Sequence, residues 1–110
     1  MPDFEKYVLN RHHHHPEADN AIYVGRGTDF GNKFLFHPSE PDRELTRAES
    51  IAWYELWLAR ENSLLKKVKG LKGKYLLCSC EPKLCHAHVL AFVANADRET
   101  QLRWYHYIRS

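Results

Sequence analysis

Apolar residues recur at helical spacing in the middle of the chain. Ile51, Tyr54 and Leu58 follow one another at intervals of three and four residues, which is the period of an amphipathic helix. A T-x-x-E capping box, the usual hydrogen-bonded start of a helix, begins just before them at Thr46. This pattern predicts a helix over residues 47–60.

Three further segments show the same kind of periodicity. The sequence "NSLLKKVKG" predicts a shorter helix over residues 62–70, and a second apolar stripe predicts a helix over residues 85–95. Asp97 is a suitable N-cap for a last helix over residues 97–109. The buried side of that last helix is predicted to consist of Leu102, Tyr105 and Ile108.

Short apolar runs bounded by turn residues predict strands. Residues 7–10 and 21–24 are two such runs, and "GKYLLCSC" at residues 73–80 is a third. In the third run, Leu76, Cys78 and Cys80 share one face because side chains alternate along a strand. By contrast, "HPSEPDREL" contains two prolines and predicts an irregular, exposed segment.

Strands that alternate with helices are typical of an α/β fold. We therefore predict a single domain over residues 1–110, built as a small Rossmann-like sheet flanked by helices. The chain is long enough to form one modest core. In such folds ligands bind beyond the carboxyl ends of the strands, so the loops that follow the strands are the places to look for a site.

The composition narrows the class of protein. Hydrophobic residues make up 44% and charged residues 27%, which is ordinary for a globular protein. No apolar run is long enough to span a bilayer and the N-terminus lacks the pattern of a signal peptide, so we expect a cytoplasmic location and no membrane partner. The three cysteines fall within eight positions, which favours reduced thiols over a disulfide framework.

The segment "CSCEPKLCHAH" leaves three interpretations open. A zinc site would use Cys78, Cys80, Cys85 and His86, although the spacing differs from the usual C-x-x-C knuckle. A catalytic site would use Cys85 as nucleophile and His86 as base, because a helix start lowers the pKa of a thiol. The third interpretation is that the cysteines are core residues, which the pattern favours for Cys78.

The segment "GRGTDFGN" follows the second predicted strand and fits neither the dinucleotide nor the NTPase phosphate-binding pattern. Its three glycines, Gly25, Gly27 and Gly31, would allow the backbone to approach a ligand closely. Arg26 carries a guanidinium fork suited to phosphate or carboxylate. The alternative is that the glycines only shape a tight loop and that Arg26 pairs with an acid such as Asp29.

The end of the first predicted strand is also polar. Asn10, Arg11 and the histidine run at residues 12–15 lie there, and we expect one of the histidines, taken as His13, to face the same edge of the sheet. The predicted ligand-binding residues are Asn10, Arg11, His13, Gly25, Arg26, Gly27, Gly31 and Asn32.

Three motifs in order, "IYVGRGTDFGNKF", "WYELWL" and "LKGKYLLCSCEPKLCHAHVL", resemble an uncharacterised phage and bacterial family, domain of unknown function 4326. The resemblance covers about residues 8–95. Lys33 stands where the family usually has proline, and Ala87-His88 stands where it usually has Gly-Asp. The resemblance implies an α/β fold without an activity, and a host-cytoplasm location if the chain is phage-encoded. The residues it identifies are Tyr23, Gly25, Arg26, Gly27, Gly31, Asn32, Phe34, Cys78, Cys80, Pro82, Cys85 and His86.

Two functions follow as expectations. In the first, the domain binds or also processes a nucleotide-like or phosphorylated ligand, in a pocket formed by the "GRGTDFGN" loop and the "CSCEPKLCH" turn. In the second, it is a non-enzymatic module, zinc-stabilised or metal-free, that binds nucleic acid or a host partner protein. Lysines clustered in residues 66–74, and arginines interleaved with Trp104, Tyr105 and Tyr107, would suit nucleic acid under the second hypothesis. The alternative is that the lysines are only the solvated face of a helix and that the aromatic residues are a buried face.

Overall fold

The computed structural model of the protein describes residues 4–11, 21–79 and 85–109. Within them lie a three-stranded parallel sheet, a two-stranded antiparallel hairpin and four α-helices. A short 3-10 turn, Glu5–Tyr7, precedes the first strand. The strands and helices in chain order are β1 Val8–Asn10, β2 Ile22–Tyr23, β3 Phe36–His37, β4 Glu40–Glu44, α1 Arg47–Arg60, α2 Asn62–Lys69, β5 Leu76–Cys78, α3 His86–Asn95 and α4 Arg98–Arg109.

The parallel sheet has the order β1-β5-β2. Leu76 in the central strand pairs with Val8 on one side and Ile22 on the other, so all three strands end at the same edge. Leu76 and Cys78 are both buried, as the period of two predicted. The α/β class is thereby confirmed, and the likeness to a Rossmann sheet is limited to three parallel strands flanked by helices.

Helix α1 begins and ends where the sequence predicts. The Glu49 backbone N–H donates to the Thr46 hydroxyl at 3.2 Å, and the Thr46 N–H donates to the Glu49 carboxylate at 3.0 Å, which completes the capping box. The predicted apolar stripe of Ile51, Tyr54 and Leu58 is buried. The local signal and the tertiary packing therefore agree for this helix.

Helix α3 forms the centre of the core. Every residue from 86 to 91 is buried, as expected for a helix that is apolar on nearly all sides. Val89 and Leu90 join a cluster that includes Leu58, Val68 and Leu76. No helix in the described residues is both long and apolar enough to cross a membrane.

Residues 38–44 of the segment "HPSEPDREL" are exposed as predicted, whereas its last residue, Leu45, is buried; the prediction that the segment is irregular is wrong. It contributes to a hairpin in which β3 and β4 pair antiparallel, with a register irregularity between Phe36 and His37. Pro41 lies within β4. A strand paired on one side only can contain proline because not every backbone N–H needs a partner.

The predicted buried side of α4 is only partly correct. Trp104 is its buried residue, whereas Leu102 is 45% exposed and Tyr105 and Ile108 are half-buried. The Trp104 indole N–H donates to the Glu55 carboxylate of α1 at 2.6 Å. This interhelical bond orients α4, and helical periodicity alone does not reveal it.

Candidate functional site

A cleft of about 590 Å³ opens at the carboxyl-terminal edge of the parallel sheet. Tyr23 from the end of β2 and Cys78 from the end of β5 line it. Helices α1 and α3 both begin there, with Arg47 and His86 as their first residues. The fold therefore brings two strand ends and two helix N-termini together in one place.

Arg26 lines this cleft and its side chain is exposed. The alternative pairing with Asp29 is not present, because Asp29 binds the Lys67 ammonium at 2.7 Å instead. That hydrogen bond and charge hold the pKa of Asp29 below its usual value. Among the residues described, Arg26 forms no ion pair, so its guanidinium is available to a ligand.

The packing of the "GRGTDFGN" loop explains why three of its residues are glycine. A Cβ on Gly25 would collide with the ring of Tyr23, and a Cβ on Gly31 would lie 2.9 Å from the Gly25 carbonyl oxygen. Gly27 has a φ of +93°, which L side chains rarely adopt. Of the three glycines, Gly25 lines the cleft, whereas Gly27 and Gly31 shape the loop that presents Arg26.

Asn32 anchors the end of this loop to α1. Its Nδ2 donates to the Ser50 hydroxyl at 2.8 Å, and its Oδ1 accepts from the Phe34 N–H at 2.9 Å. The Ser50 hydroxyl in turn donates to the Phe34 carbonyl at 2.5 Å. A further bond runs from the Tyr54 hydroxyl to the Phe30 carbonyl at 2.6 Å. Asn32 also lines the cleft, but its amide is largely used to hold the loop in place.

Cys85 and Cys78 meet at the floor of the cleft. Both thiols are buried, and their Sγ atoms lie 3.4 Å apart. Cys85 is the N-cap of α3 and has an extended backbone. The burial of Cys78 agrees with a core role. Cys85 lies beside the start of a helix, which favours a thiolate, whereas its burial opposes one.

His86 is buried beside Cys85 and contacts the backbone just after β2. Its Nε2 lies 2.7 Å from the Val24 carbonyl oxygen, and because a carbonyl can only accept, Nε2 must carry a proton. Burial lowers the pKa of His86, and the bond to Val24 offsets part of that effect. The neutral ring therefore has its lone pair on Nδ1.

His88 completes the first turn of α3. Its Nδ1 accepts a 3.0 Å hydrogen bond from the Cys85 backbone N–H. This position is the one where the family resemblance leads us to expect aspartate, whose carboxylate would also be an acceptor. His88 can therefore satisfy the helix start without adding a negative charge beneath the cleft.

The zinc interpretation receives no support from the described residues. Among them, no group of three or more His, Cys, Asp or Glu side chains is arranged to hold a metal ion. Cys80, the remaining member of the predicted ligand set, lies outside the described residues. A zinc site of Cys78, Cys80, Cys85 and His86 therefore stays a prediction.

Asn10 and Arg11 lie at the same sheet edge but do not line the cleft. Asn10 pairs with Cys78 across the sheet and is buried. The Arg11 N–H donates to the Cys78 carbonyl at 2.8 Å, and its guanidinium lies 4.4 Å from the centre of the Tyr23 ring. Arg11 thus supports Tyr23, a wall of the cleft. The predicted His13 lies outside the described residues.

The start of α1 is the part of the site that sequence reasoning missed. Thr46, Arg47 and Ser50 line the cleft together with Glu44 from the end of β4. A usable signal was present, because an arginine in the first turn of a helix opposes the helix dipole. Such a residue is a candidate for binding an anion instead of stabilising the helix.

One comparison with known proteins identifies a family that the chain matches. A family model described as Domain of unknown function (DUF4326) matches residues 8–96, which leaves α4 beyond the match. No curated protein and no solved structure matches the chain.

Proposed function

The chain belongs to the domain of unknown function 4326 family, and we propose that it binds a nucleotide-like or phosphorylated small molecule in the cleft. The observation that carries the proposal is the convergence of Arg26 and Arg47 with the starts of α1 and α3. Each of these groups favours an anion.

The charge balance of the cleft supports a phosphate group. Each helix N-terminus contributes about half a positive charge through its free N–H groups. Among the described lining residues, Arg26 and Arg47 are the two arginines and Glu44 is the one carboxylate. A phosphate monoester carries about −1.5 to −2 charge at neutral pH and three acceptor oxygens, which matches this excess.

The rest of the cleft is suited to the organic part of such a ligand. Phe34, Leu45 and Ile51 give it an apolar wall, against which a base or another flat group can pack. Glu44 offers an acceptor for hydroxyl groups. The volume of about 590 Å³ falls in the usual range for small-molecule sites. A nucleotide or a phosphorylated metabolite would therefore fit better than inorganic phosphate alone.

Cys85 and His86 are the groups placed to act on a bound ligand. A neutral His86 with its lone pair on Nδ1 can accept a proton, and a thiol that loses its proton becomes a nucleophile. We propose these two residues as the reactive pair if the ligand is also processed. The binding proposal does not depend on this step.

Thermal unfolding with a ligand panel tests the binding proposal. The panel contains AMP, GMP, CMP, UMP, ribose 5-phosphate, inorganic phosphate and unphosphorylated adenosine. We expect at least one phosphorylated organic compound to stabilise the protein, by about 2.7 kcal/mol at a hundredfold excess over its Kd, and adenosine to have no effect. Stabilisation by no phosphorylated compound, or equally by adenosine, would contradict the proposal.

Arginine variants connect the binding to this cleft. A charged hydrogen bond contributes about 1.5–3 kcal/mol, so Arg26→Ala and Arg47→Ala should each weaken binding by roughly tenfold or more. Arg60→Ala is the matched control, because Arg60 is an exposed arginine at the far end of α1. It lies about 20 Å from Arg47 along the helix axis. An equal loss in all three variants would place the ligand elsewhere.

A further inference from the structure

A second groove lies between α2 and α4 and shares no lining residue with the cleft. This α2–α4 groove has a volume of about 550 Å³. Four lining residues of each helix stand at positions i, i+3, i+4 and i+7, which form one continuous stripe along a helix; Trp104 of α4 and Val93 of α3 also line the groove. The stripe of α2 consists of Asn62, Leu65, Lys66 and Lys69, and that of α4 consists of Arg98, Gln101, Leu102 and Tyr105.

The groove combines an apolar floor with a positively charged rim. Leu65 and Leu102 face it from opposite helices, and Leu102 is 45% exposed. Lys66, Lys69 and Arg98 supply three positive charges, and no acidic residue lines the groove within the part of the chain that the structure describes. An occupant should therefore present apolar side chains between negatively charged ones.

The aromatic residues of the groove favour a peptide over a single-stranded nucleic acid. Base stacking needs an open ring face, but Trp104 is only 8% exposed and its N–H is bound to Glu55. Tyr105 is half-buried and the Arg109 guanidinium lies 4.9 Å from its ring centre. Tyr107 is 78% exposed but does not line the groove.

We propose that the α2–α4 groove docks an amphipathic helix of a partner protein whose apolar stripe is flanked by aspartate and glutamate. Two helices that each present such a stripe form a groove into which the apolar face of a third helix packs. The α4 wall lies beyond residues 8–96, the part matched by the family. The α4 side of the docking surface is therefore an addition to the family region, whereas the α2 side belongs to it, and the surface is independent of the ligand proposed for the cleft.

Selection from a displayed library of random peptides tests this proposal. Peptides of about 16 residues span about 24 Å when helical, enough to cover the groove. Selection uses the wild-type chain, with Leu102→Asp as the counter-selection. We expect enriched peptides to combine apolar residues at i, i+3 or i+4 and i+7 with flanking acidic residues. Enrichment of basic or patternless peptides, or no enrichment over Leu102→Asp, would overturn the proposal.

Binding of an enriched peptide is then measured by fluorescence anisotropy. Lys66→Glu/Lys69→Glu should weaken it by about tenfold or more, and raising the salt should weaken it further because charges across the groove are screened. Lys72→Glu/Lys74→Glu is the control, since it makes the same charge change at exposed lysines outside the groove. An equal loss in the control pair would show nonspecific charge attraction and overturn the proposal.

Two further measurements separate the remaining outcomes. Leu102→Ala should also weaken binding of the peptide, whereas Tyr107→Ala, at an exposed site outside the groove, should not. Equal losses of affinity in the two variants would contradict binding in the groove. A labelled single-stranded oligothymidine is titrated in parallel. If it binds through Lys66 and Lys69 while no peptide does, the surface is a nucleic-acid site and the proposal is wrong.

Discussion

Replacing Ser50 with alanine should loosen the loop that carries Arg26. The Ser50 hydroxyl donates to the Phe34 carbonyl at 2.5 Å and accepts from the Asn32 amide at 2.8 Å. Each such bond contributes about 0.5–1.5 kcal/mol net. The better helix propensity of alanine returns at most about 0.5 kcal/mol. We therefore expect Ser50→Ala to lower the free energy of unfolding by about 0.5–3 kcal/mol, with a central value of about 1.5 kcal/mol.

Urea unfolding followed by tryptophan fluorescence measures this loss, because Trp53 and Trp57 lie on the same helix as Ser50. The midpoint should fall while the slope with denaturant stays constant. Ser63→Ala on α2 is the control, since this exposed serine also lies in a helix, and its effect should remain within about 0.5 kcal/mol. A Ser50→Ala loss within the same limit would refute the argument.

A double-mutant cycle sharpens the test. Asn32→Ala and Ser50→Ala remove groups of the same hydrogen-bond network, so the double variant should lose less stability than the sum of the single variants. Exact additivity would show that the two side chains act independently. If Arg26 binds the ligand as proposed, both single variants should also bind the phosphorylated compound that stabilises the wild type more weakly, because the loop that carries Arg26 is held less firmly.

Three other expectations follow from single contacts. Gly27→Ala should cost about 1–2 kcal/mol because φ is +93° there, and an unchanged melting temperature would contradict that conformation. Burial lowers the pKa of His86, so the unfolded chain binds more protons below about pH 6.5 and stability should fall as the pH is lowered through that value. His86→Gln should reduce this slope in pH-dependent thermal unfolding, and a slope as steep as that of the wild type would contradict the argument. Trp104→Phe should cost about 1–3 kcal/mol by removing its bond to the Glu55 carboxylate. Glu55→Gln keeps an acceptor but loses the charge, so it should cost less than Trp104→Phe; no loss at all in Glu55→Gln would contradict a charge-assisted bond.

The sequence anticipated part of the cleft because its residues follow strand ends. Residues that come directly after parallel strands meet at one edge of a sheet, which is why Arg26 and the Cys85-His86 pair could be expected together. Glu44 and Ser50 were missed because they are separated in sequence from these strand ends. Their position depends on how the β3–β4 hairpin and α1 pack against the sheet.

The three glycines of the "GRGTDFGN" loop show a second limit of prediction from the sequence. The sequence alone predicts the same role for Gly25, Gly27 and Gly31, since each glycine permits unusual backbone conformations or close contacts. In the structure Gly27 needs a positive φ, whereas Gly31 makes room for the Gly25 carbonyl. The distinction arises from contacts between residues that are several positions apart, so a residue type alone cannot supply it.

The sequence by itself determined the local features of this protein. These features are the bounds of α1, its capping box and the alternation of Leu76 and Cys78. All of them depend on interactions between residues a few positions apart, and such interactions are visible in the sequence as a periodic pattern of apolar residues. The α/β class follows from the order of these elements. These features are correct in the structure because the core buries the faces that the pattern marks as apolar.

Only the tertiary structure decided which surfaces those elements share. The Trp104–Glu55 bond orients α4 and leaves Leu102 exposed beside α2, although periodicity predicted Leu102 to be buried. Likewise, Arg47 reaches the cleft because α1 begins at the edge where β2 and β5 end. Both results depend on the relative orientation of distant segments, which is set by the packing of the whole core and not by any local pattern.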